Sequence, residues 1–205
     1  MIKSWSELPV AKLQEINSVS RNIDDEDTKV LTIAGILADK TYREMMELPL
    51  NETTELIRNT AFLYTEPKQK KLRSVYHLNG TDYRIMKNMN DITTAQFIDY
   101  QTIAKDSGER MAEFLSIFFI PIGCKYNDGN YDREKVVEDI SYYLTAEEAL
   151  GISAFFTKRC VRLIRRTLLL LEVKMRMLSW RKETREQAKQ VMELIQQIRY
   201  TYGLT

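Results

Sequence analysis

The chain has 205 residues, 44% of them hydrophobic, and its 30 lysines and arginines balance 29 aspartates and glutamates to leave a net charge of +1. That length suits one domain, or one domain with a helical extension, and is enough to bury a real core. The most apolar run, Phe114 to Cys124, contains Pro121 and falls short of the about 20 residues that a membrane span needs, while Lys3, Glu7 and Lys12 interrupt the stretch where a secretory signal would lie, so the expectation is a soluble intracellular protein.

Charge is unevenly spread. Residues 151–205 hold 12 basic side chains against 4 acidic ones, a balance of +8, and residues 1–150 hold 18 against 25, a balance of −7. Such a split points to attraction between the two parts or to an acidic partner for the basic segment. Cys124 and Cys160 lie far apart, form no CxxC and have only one histidine to join them, so both are expected as reduced core thiols rather than zinc ligands.

The first sixty-odd residues predict short helices. Leu8, Leu13, Ile16 and Val19 fit one apolar stripe, and Val30, Ile33, Ala34 and Leu37 fit a second after the acidic start Asp24 to Asp27. Thr41 and Glu44 form a capping box that opens a two-turn helix ending before Pro49, and Asn51 is expected to cap another helix running to about Tyr64. After a polar loop from Thr65 to Lys71, Val75 to Ile85 alternates about Asn79-Gly80, the two positive-φ residues of a type I′ hairpin. A two-residue loop puts Tyr76 opposite Tyr83, gathers Tyr76, Leu78, Tyr83 and Ile85 on one face, and sets His77 against Asp82 on the other.

Helical periodicity returns at Thr93 or Thr94, the cap of a helix carrying Phe97, Ile98, Tyr100 and Ala104, with a break near Ser107-Gly108. An apolar helix is expected from Arg110 to Pro121 and another from Arg133 to Tyr143. Neither glycine nor proline interrupts Ile152 to Tyr202, so that segment predicts one long helix or two stacked ones, with a bend at Ser179-Trp180. Ile152, Phe156, Cys160, Ile164, Leu168, Leu171, Met175 and Leu178 form its apolar stripe. Beyond the bend, Thr184, Ala188, Val191, Ile195, Ile198 and Tyr202 keep the spacing of a coiled-coil seam; at under three heptads this favours an intramolecular bundle helix over an oligomerising zipper.

The expected fold is thus mainly α with a minor β part: a multi-helix bundle with one small β-hairpin and a long C-terminal helical region. Its parts are a short-helix region over 1–66, a hairpin with a helical core over 67–150, and a long basic helix or helical pair over 151–205.

Candidate chemistry is sparse. Asp128, Asn130 and Asp132 alternate as at the start of an EF-hand calcium loop, but the sixth and twelfth positions, where glycine and glutamate are required, hold Arg133 and Asp139. Asp128-Gly129 is therefore read as a turn, and Asp132 as the N-cap of the following helix with Glu134 in its first turn. His77 facing Asp82 would be solvent-exposed on a hairpin, with no serine or cysteine placed beside it by the local pattern. GxGxxG, GxxxxGK[ST], HExxH and GxSxG motifs are missing from the sequence. No catalytic residue, cofactor or metal is expected, and the reading is a non-enzymatic protein.

Thr28 to Thr60 has the look of a helix-turn-helix, yet its second helix offers only Arg58 beside Glu52 and Glu55, and residues 1–66 carry 7 basic against 12 acidic side chains, a surface that repels phosphate. The row Lys158, Arg159, Arg162, Arg165 and Arg166 is the stronger nucleic-acid candidate, although an arginine-rich outer face of an amphipathic helix is the simpler explanation of it.

The stretches YHLNGTDYRI, ITTAQFIDYQ, IPIGCKYNDGNYD and ALGISAFF occur in that order. Together they resemble small proteins of the tail modules of double-stranded DNA bacteriophages, among them tail and baseplate-hub assembly chaperones, especially those of phages of gut Bacteroidetes. The resemblance covers roughly residues 72–160 and implies a non-enzymatic, mostly helical protein that binds another virion protein, a tail or connector component, in the host cytoplasm during assembly. The long basic C-terminal region departs from that pattern and keeps open a permanent place in the virion as a connector subunit. Expected contact residues are Tyr126 and Tyr131, Arg159, Arg162 and Arg166, and the seam residues Val191, Ile195 and Ile198, the last three also serving a homo-oligomer. No membrane partner is expected; a helix-turn-helix regulator is the alternative reading.

Overall fold

A computed structural model describes residues 1–68, 70–88, 91–179 and 185–201, and the side chains of all of these except 176–179, 185–187 and 201. The described residues form nine α-helices and a three-stranded sheet: α1 Val10–Asn22, α2 Glu26–Ala38, α3 Tyr42–Met46, α4 Leu50–Arg58, β1 Val75–Leu78, β2 Thr81–Ile85, α5 Thr94–Ile103, α6 Met111–Ser116, β3 Phe119–Pro121, α7 Arg133–Tyr143, α8 Ala146–Ser179 and α9 Arg185–Thr201. The fold is mainly α with a small antiparallel sheet. The chain divides into two compact units, Met1–Ser153 and Ala154–Thr205, with the division falling inside α8. No described helix is long and apolar enough to cross a membrane.

Local chemistry starts and stops the helices of the first unit. The Asp25 carboxylate accepts the Thr28 N–H at 2.8 Å, and Thr41 and Thr93 each close a reciprocal capping box, with Glu44 and Gln96 respectively. Asp39 ends α2 in the left-handed region at φ 55°. Gly35 is required by space, because a Cβ there would lie 2.6 Å from the Lys40 carbonyl oxygen. Asn51 does not cap α4 as expected. That helix starts two residues earlier, with Pro49 as its cap and the Pro49 carbonyl accepting the Thr53 N–H at 3.0 Å, and it gives way at Asn59–Tyr64 to a 3-10 turn.

The hairpin has the expected register, with Tyr76 opposite Tyr83 and His77 opposite Asp82, and both turn residues have positive φ, 46° at Asn79 and 73° at Gly80. Tyr76, Leu78, Tyr83 and Ile85 are all buried. The segment that joins them in the sheet departs from its expected form. The helix expected over 110–121 ends at Ser116, and Phe119–Pro121 pairs as β3 with β2, Ile85 opposite Phe119 and Tyr83 opposite Pro121. Ile117 to Ile120 are buried throughout, and a short apolar run that is buried on every side carries no period to tell strand from helix. Its β-branched and aromatic residues suit the edge that β2 offers.

Leu8, Leu13, Ile16, Leu37 and Ala146 form one apolar cluster of this unit, with Trp5, Ile33 and Phe62 packed on it. Elsewhere in the unit the Phe119 ring lies 5.5 Å from Tyr76 and 6.2 Å from Tyr83, and the rings of Phe114, Phe118 and Tyr100 lie 5.7 to 6.3 Å apart. The second unit is smaller: Ile164, Leu168 and Ile195 are its buried cluster, flanked by Val161, Val191, Met192 and Ile198, and Arg199 pairs with Glu172 at 3.0 Å. The long helical segment is therefore two helices packed on each other, while Trp180, Thr184 and Tyr202 lie outside the described residues. The buried stripe of α8 runs from Ile152 to Leu168 and then fades, Leu171 being 37% exposed.

Candidate functional site

The loop that begins like a calcium site is a folded turn. Both oxygens of Asp128 are occupied by backbone, accepting the N–H of Lys125 at 2.8 Å and of Asn130 at 3.0 Å, and Asp132 accepts the Lys135 N–H at 3.1 Å as the N-cap of α7. Among the described residues no three His, Cys, Asp or Glu side chains gather in a metal-binding group.

Tyr126 and Tyr131 anchor this turn to the body of the first unit. The Tyr126 hydroxyl donates to Asp99 on α5, to which Arg133 also reaches at 3.3 Å, and the Tyr131 hydroxyl donates to the Ser116 carbonyl at 3.0 Å. Their rings lie 5.2 Å apart, and both residues are half-buried. Burial, the larger cause, and the Asp99 hydrogen bond both raise the Tyr126 phenol above its ordinary value. Burial pushes Tyr131 up to about 12, with Arg133 working the other way. These two side chains thus hold a loop on α5 and α6, with their polar ends turned inward.

A second polar lock joins the sheet to α7, and sequence reasoning missed it. Asp139 is 1% exposed and accepts the Tyr83 hydroxyl at 2.5 Å and the Asn79 side-chain N–H at 2.9 Å. Burial first, and then Asp139, raise the Tyr83 phenol strongly. The available signal was the position of Asp139 on the apolar stripe of α7, next to Val136 and Ile140, where an acid needs a partner. The loop after Pro67 is likewise tied down: Lys70 meets the nearly buried Glu147 at 2.5 Å and Arg73 meets Glu148 at 3.6 Å.

The sign of the tyrosine shifts gives a testable pH dependence. A phenol whose folded value is raised holds its proton more tightly in the folded state, so its contribution is fully present below pH about 10, the ordinary tyrosine value, and is lost as pH climbs beyond it. Among the 11 tyrosines, Tyr83, Tyr126 and Tyr131 are expected to ionise late and together with unfolding between about pH 10 and 12. Phenolate absorbance followed alongside circular dichroism checks this. Ionisation of all tyrosines near pH 10 in a chain that stays folded would contradict it.

His77 and Asp82 meet at 2.9 Å with side chains 70% and 56% exposed, on the face of the hairpin turned away from the core. The would-be recognition helix α4 keeps Arg58 as its one cation, with Glu52 and Glu55 exposed beside it. Cys160 is fully buried and Cys124 half-buried.

The basic row is an exposed charged feature of the second unit. Lys158, Arg159, Arg162, Arg165 and Arg166 are all exposed on α8, none of them forms an ion pair among the described residues, and the Arg159 guanidinium stacks 4.7 Å above the Phe155 ring. The same helix continues as exposed apolar surface: Leu169 is 48% exposed, Leu170 73% and Val173 55%. The seam candidates are placed differently. Ile195 is 2% exposed against Ile164 and Leu168, with Val191 and Ile198 half-buried around it. Open grooves mark the first unit, two of them large. One of about 910 Å³ lies among α1, α6 and α7 and is lined by Glu15, Glu113, Glu134 and Glu138 with Arg133; the other, of about 480 Å³ and mostly apolar, lies among α2, α3 and α4. Comparison of the chain with protein-family models, with curated proteins and with solved structures finds no significant match.

Proposed function

We propose that the chain is a non-enzymatic bacteriophage assembly protein, a tail assembly chaperone-like factor that binds another structural protein of the particle while it forms in the host cytoplasm. The observation that supports this most is the exposed surface of α8, where Arg159, Arg162 and Arg166 run directly into the exposed Leu169, Leu170 and Val173. Solvent-facing helices keep such apolar side chains singly; a contiguous apolar patch beside a cationic one is the composition of a protein contact, with the arginines steering an acidic partner and the leucines supplying the dry area.

The partner is expected to be a tail or connector component encoded near this chain. Binding of the purified full chain to tape-measure, tail-tube and portal proteins tests the reading. The double substitution Arg162→Glu/Arg166→Glu is expected to weaken the complex about tenfold, chiefly through the association rate. Those side chains are exposed, so the fold is retained. The basic row also favours a second reading, a nucleic-acid-binding regulator. If that holds, the chain binds duplex DNA with an affinity that falls by up to about 500-fold between about 50 and 200 mM salt for a row of five cations, the same double substitution abolishes it, and no phage structural protein is bound.

A further inference from the structure

We propose that the groove among α2, α3 and α4 receives one amphipathic helix of a partner protein, a helix with leucine-like side chains along one stripe and lysine or arginine beside it. This site lies wholly within the first unit and requires only a helical client, whether or not that client is a phage protein.

The groove is an apolar surface that the described residues of the first unit leave uncovered. None of the nine residues of α4 is buried, although Leu50, Thr53, Thr54 and Ile57 form one helical stripe lining the groove. Leu50 is 82% exposed and Met46 60% exposed, and both line it together with Val30, Leu31, Met45 and Leu48. Removing such a surface from water is worth roughly 25 cal/mol per Å², which the first unit does not collect by itself. At a rise of about 1.5 Å per residue, α4 presents a wall some 13 Å long, two to three helical turns, so a guest would seat side chains at i, i+3 or i+4, and i+7. Two methionines in the lining add unbranched, polarizable side chains that repack around guests of different shape.

Charge selects the guest. Asp27 is the only charged residue lining the groove, it forms no ion pair among the described residues, and it follows directly on Asp24, Asp25 and Glu26. Residues 1–66 as a whole carry 12 acidic against 7 basic side chains. A guest with acidic flanks meets repulsion at that end, whereas one with basic flanks gains a contact and faster association.

The test uses the full chain and a labelled 18-residue peptide with leucines at i, i+3, i+4 and i+7 and lysines elsewhere, read by fluorescence anisotropy. The same pattern with glutamate in place of lysine, and a scrambled leucine-lysine peptide, are each expected to bind at least about tenfold more weakly. Met46→Gln/Leu50→Gln is expected to weaken the patterned peptide about tenfold without moving the melting temperature, because both side chains are exposed, and Asp27→Asn about threefold with a shallower salt dependence and a fall in melting temperature of no more than about 4 °C, because it also takes a charge from the first turn of α2. Arg162→Glu/Arg166→Glu leaves this binding unchanged, which separates the groove from the α8 surface. Failure of the assembly reading shows as loss of phage-protein binding with the peptide still bound. The groove proposal itself is overturned if the patterned peptide does not bind, if the glutamate peptide binds as tightly, or if the Met46→Gln/Leu50→Gln chain binds as well as the original.

Discussion

Phe119→Ala is expected to destabilise the first unit by about 3–5 kcal/mol, the usual cost of emptying a fully buried phenylalanine site. The Phe119 side chain is completely buried at the start of β3, against the rings of Tyr76 and Tyr83 that the hairpin turns inward. Its loss removes the transfer energy of the ring, and also leaves a hole where β3 covers the sheet. The neighbours that could close that hole are held: Tyr83 by its hydrogen bond to Asp139, and the β3 backbone by pairing of Ile85 with Phe119. Collapse into the cavity is therefore limited and the upper half of the range applies. Against a total stability of about 5–15 kcal/mol this is a large fraction, and at about 2–4 °C per kcal/mol for a unit of this size it corresponds to a fall in Tm of at least about 8 °C. Thermal unfolding followed by near-ultraviolet circular dichroism measures it. Phe119→Leu, which fills most of the site, is expected to recover the greater part. A loss below about 1 kcal/mol would mean that β3 does not cover the hairpin, and would restore the continuous helix over 110–121 that periodicity predicts.

The second large effect is expected in the other unit. Ile195→Asp sets a carboxylate among Ile164, Leu168, Val191 and Ile198, where no described cation lies among the cluster residues. An isolated buried carboxylate costs several kcal/mol, or else neutralises or turns out to water by separating the helices. Ile195 is the one α9 member of the three-residue buried cluster, with Val191, Met192, Ile198 and the Arg199–Glu172 pair around it, and the expected result is separation of the two helices while the first unit stays folded. Hydrogen exchange resolves this: amides of α9 lose most of their protection, and those of α1 and α7 keep theirs. Ile195→Val, one methylene smaller, is expected to cost only about 0.5–1.5 kcal/mol. Unchanged protection of α9 in Ile195→Asp would show that the seam faces solvent and is free for a partner. Buried as it is, Ile195 acts on the stability of its own unit, and the exposed side of α8 is the surface proposed for binding.

Much of this molecule is written in short-range pattern. The hairpin register is legible because side chains alternate across the pleat and Asn79-Gly80 supplies the two positive-φ residues that a two-residue turn demands. The caps at Thr41, Thr93 and Asp132 are legible because each is a bond between a side chain and a backbone amide three residues away. The basic row of α8 is legible as well, since spacing of three and four on a helix places those residues opposite the apolar stripe whatever the rest of the chain does.

Contacts between distant segments are another matter. Strand β3 exists because β2, more than thirty positions earlier in the chain, offers it an edge, and the apolar run at 117–120 would be equally content as a helix without that edge. Asp139 is buried because Tyr83 and Asn79, 56 and 60 residues away, complete its hydrogen bonds. Tyr126 and Tyr131 are recognisable in sequence as aromatic residues in a loop, but their inward orientation rests on Asp99 and Ser116 in two other helices. The uncovered groove beside α4 is likewise a property of how three helices leave space between them. Local propensity chooses among helix, turn and hairpin at a cost of about 1 kcal/mol per residue or less, so neighbours in sequence decide those. Which polar and apolar groups are taken out of water is decided by partners that only the folded chain brings within reach, and burial carries the larger energies.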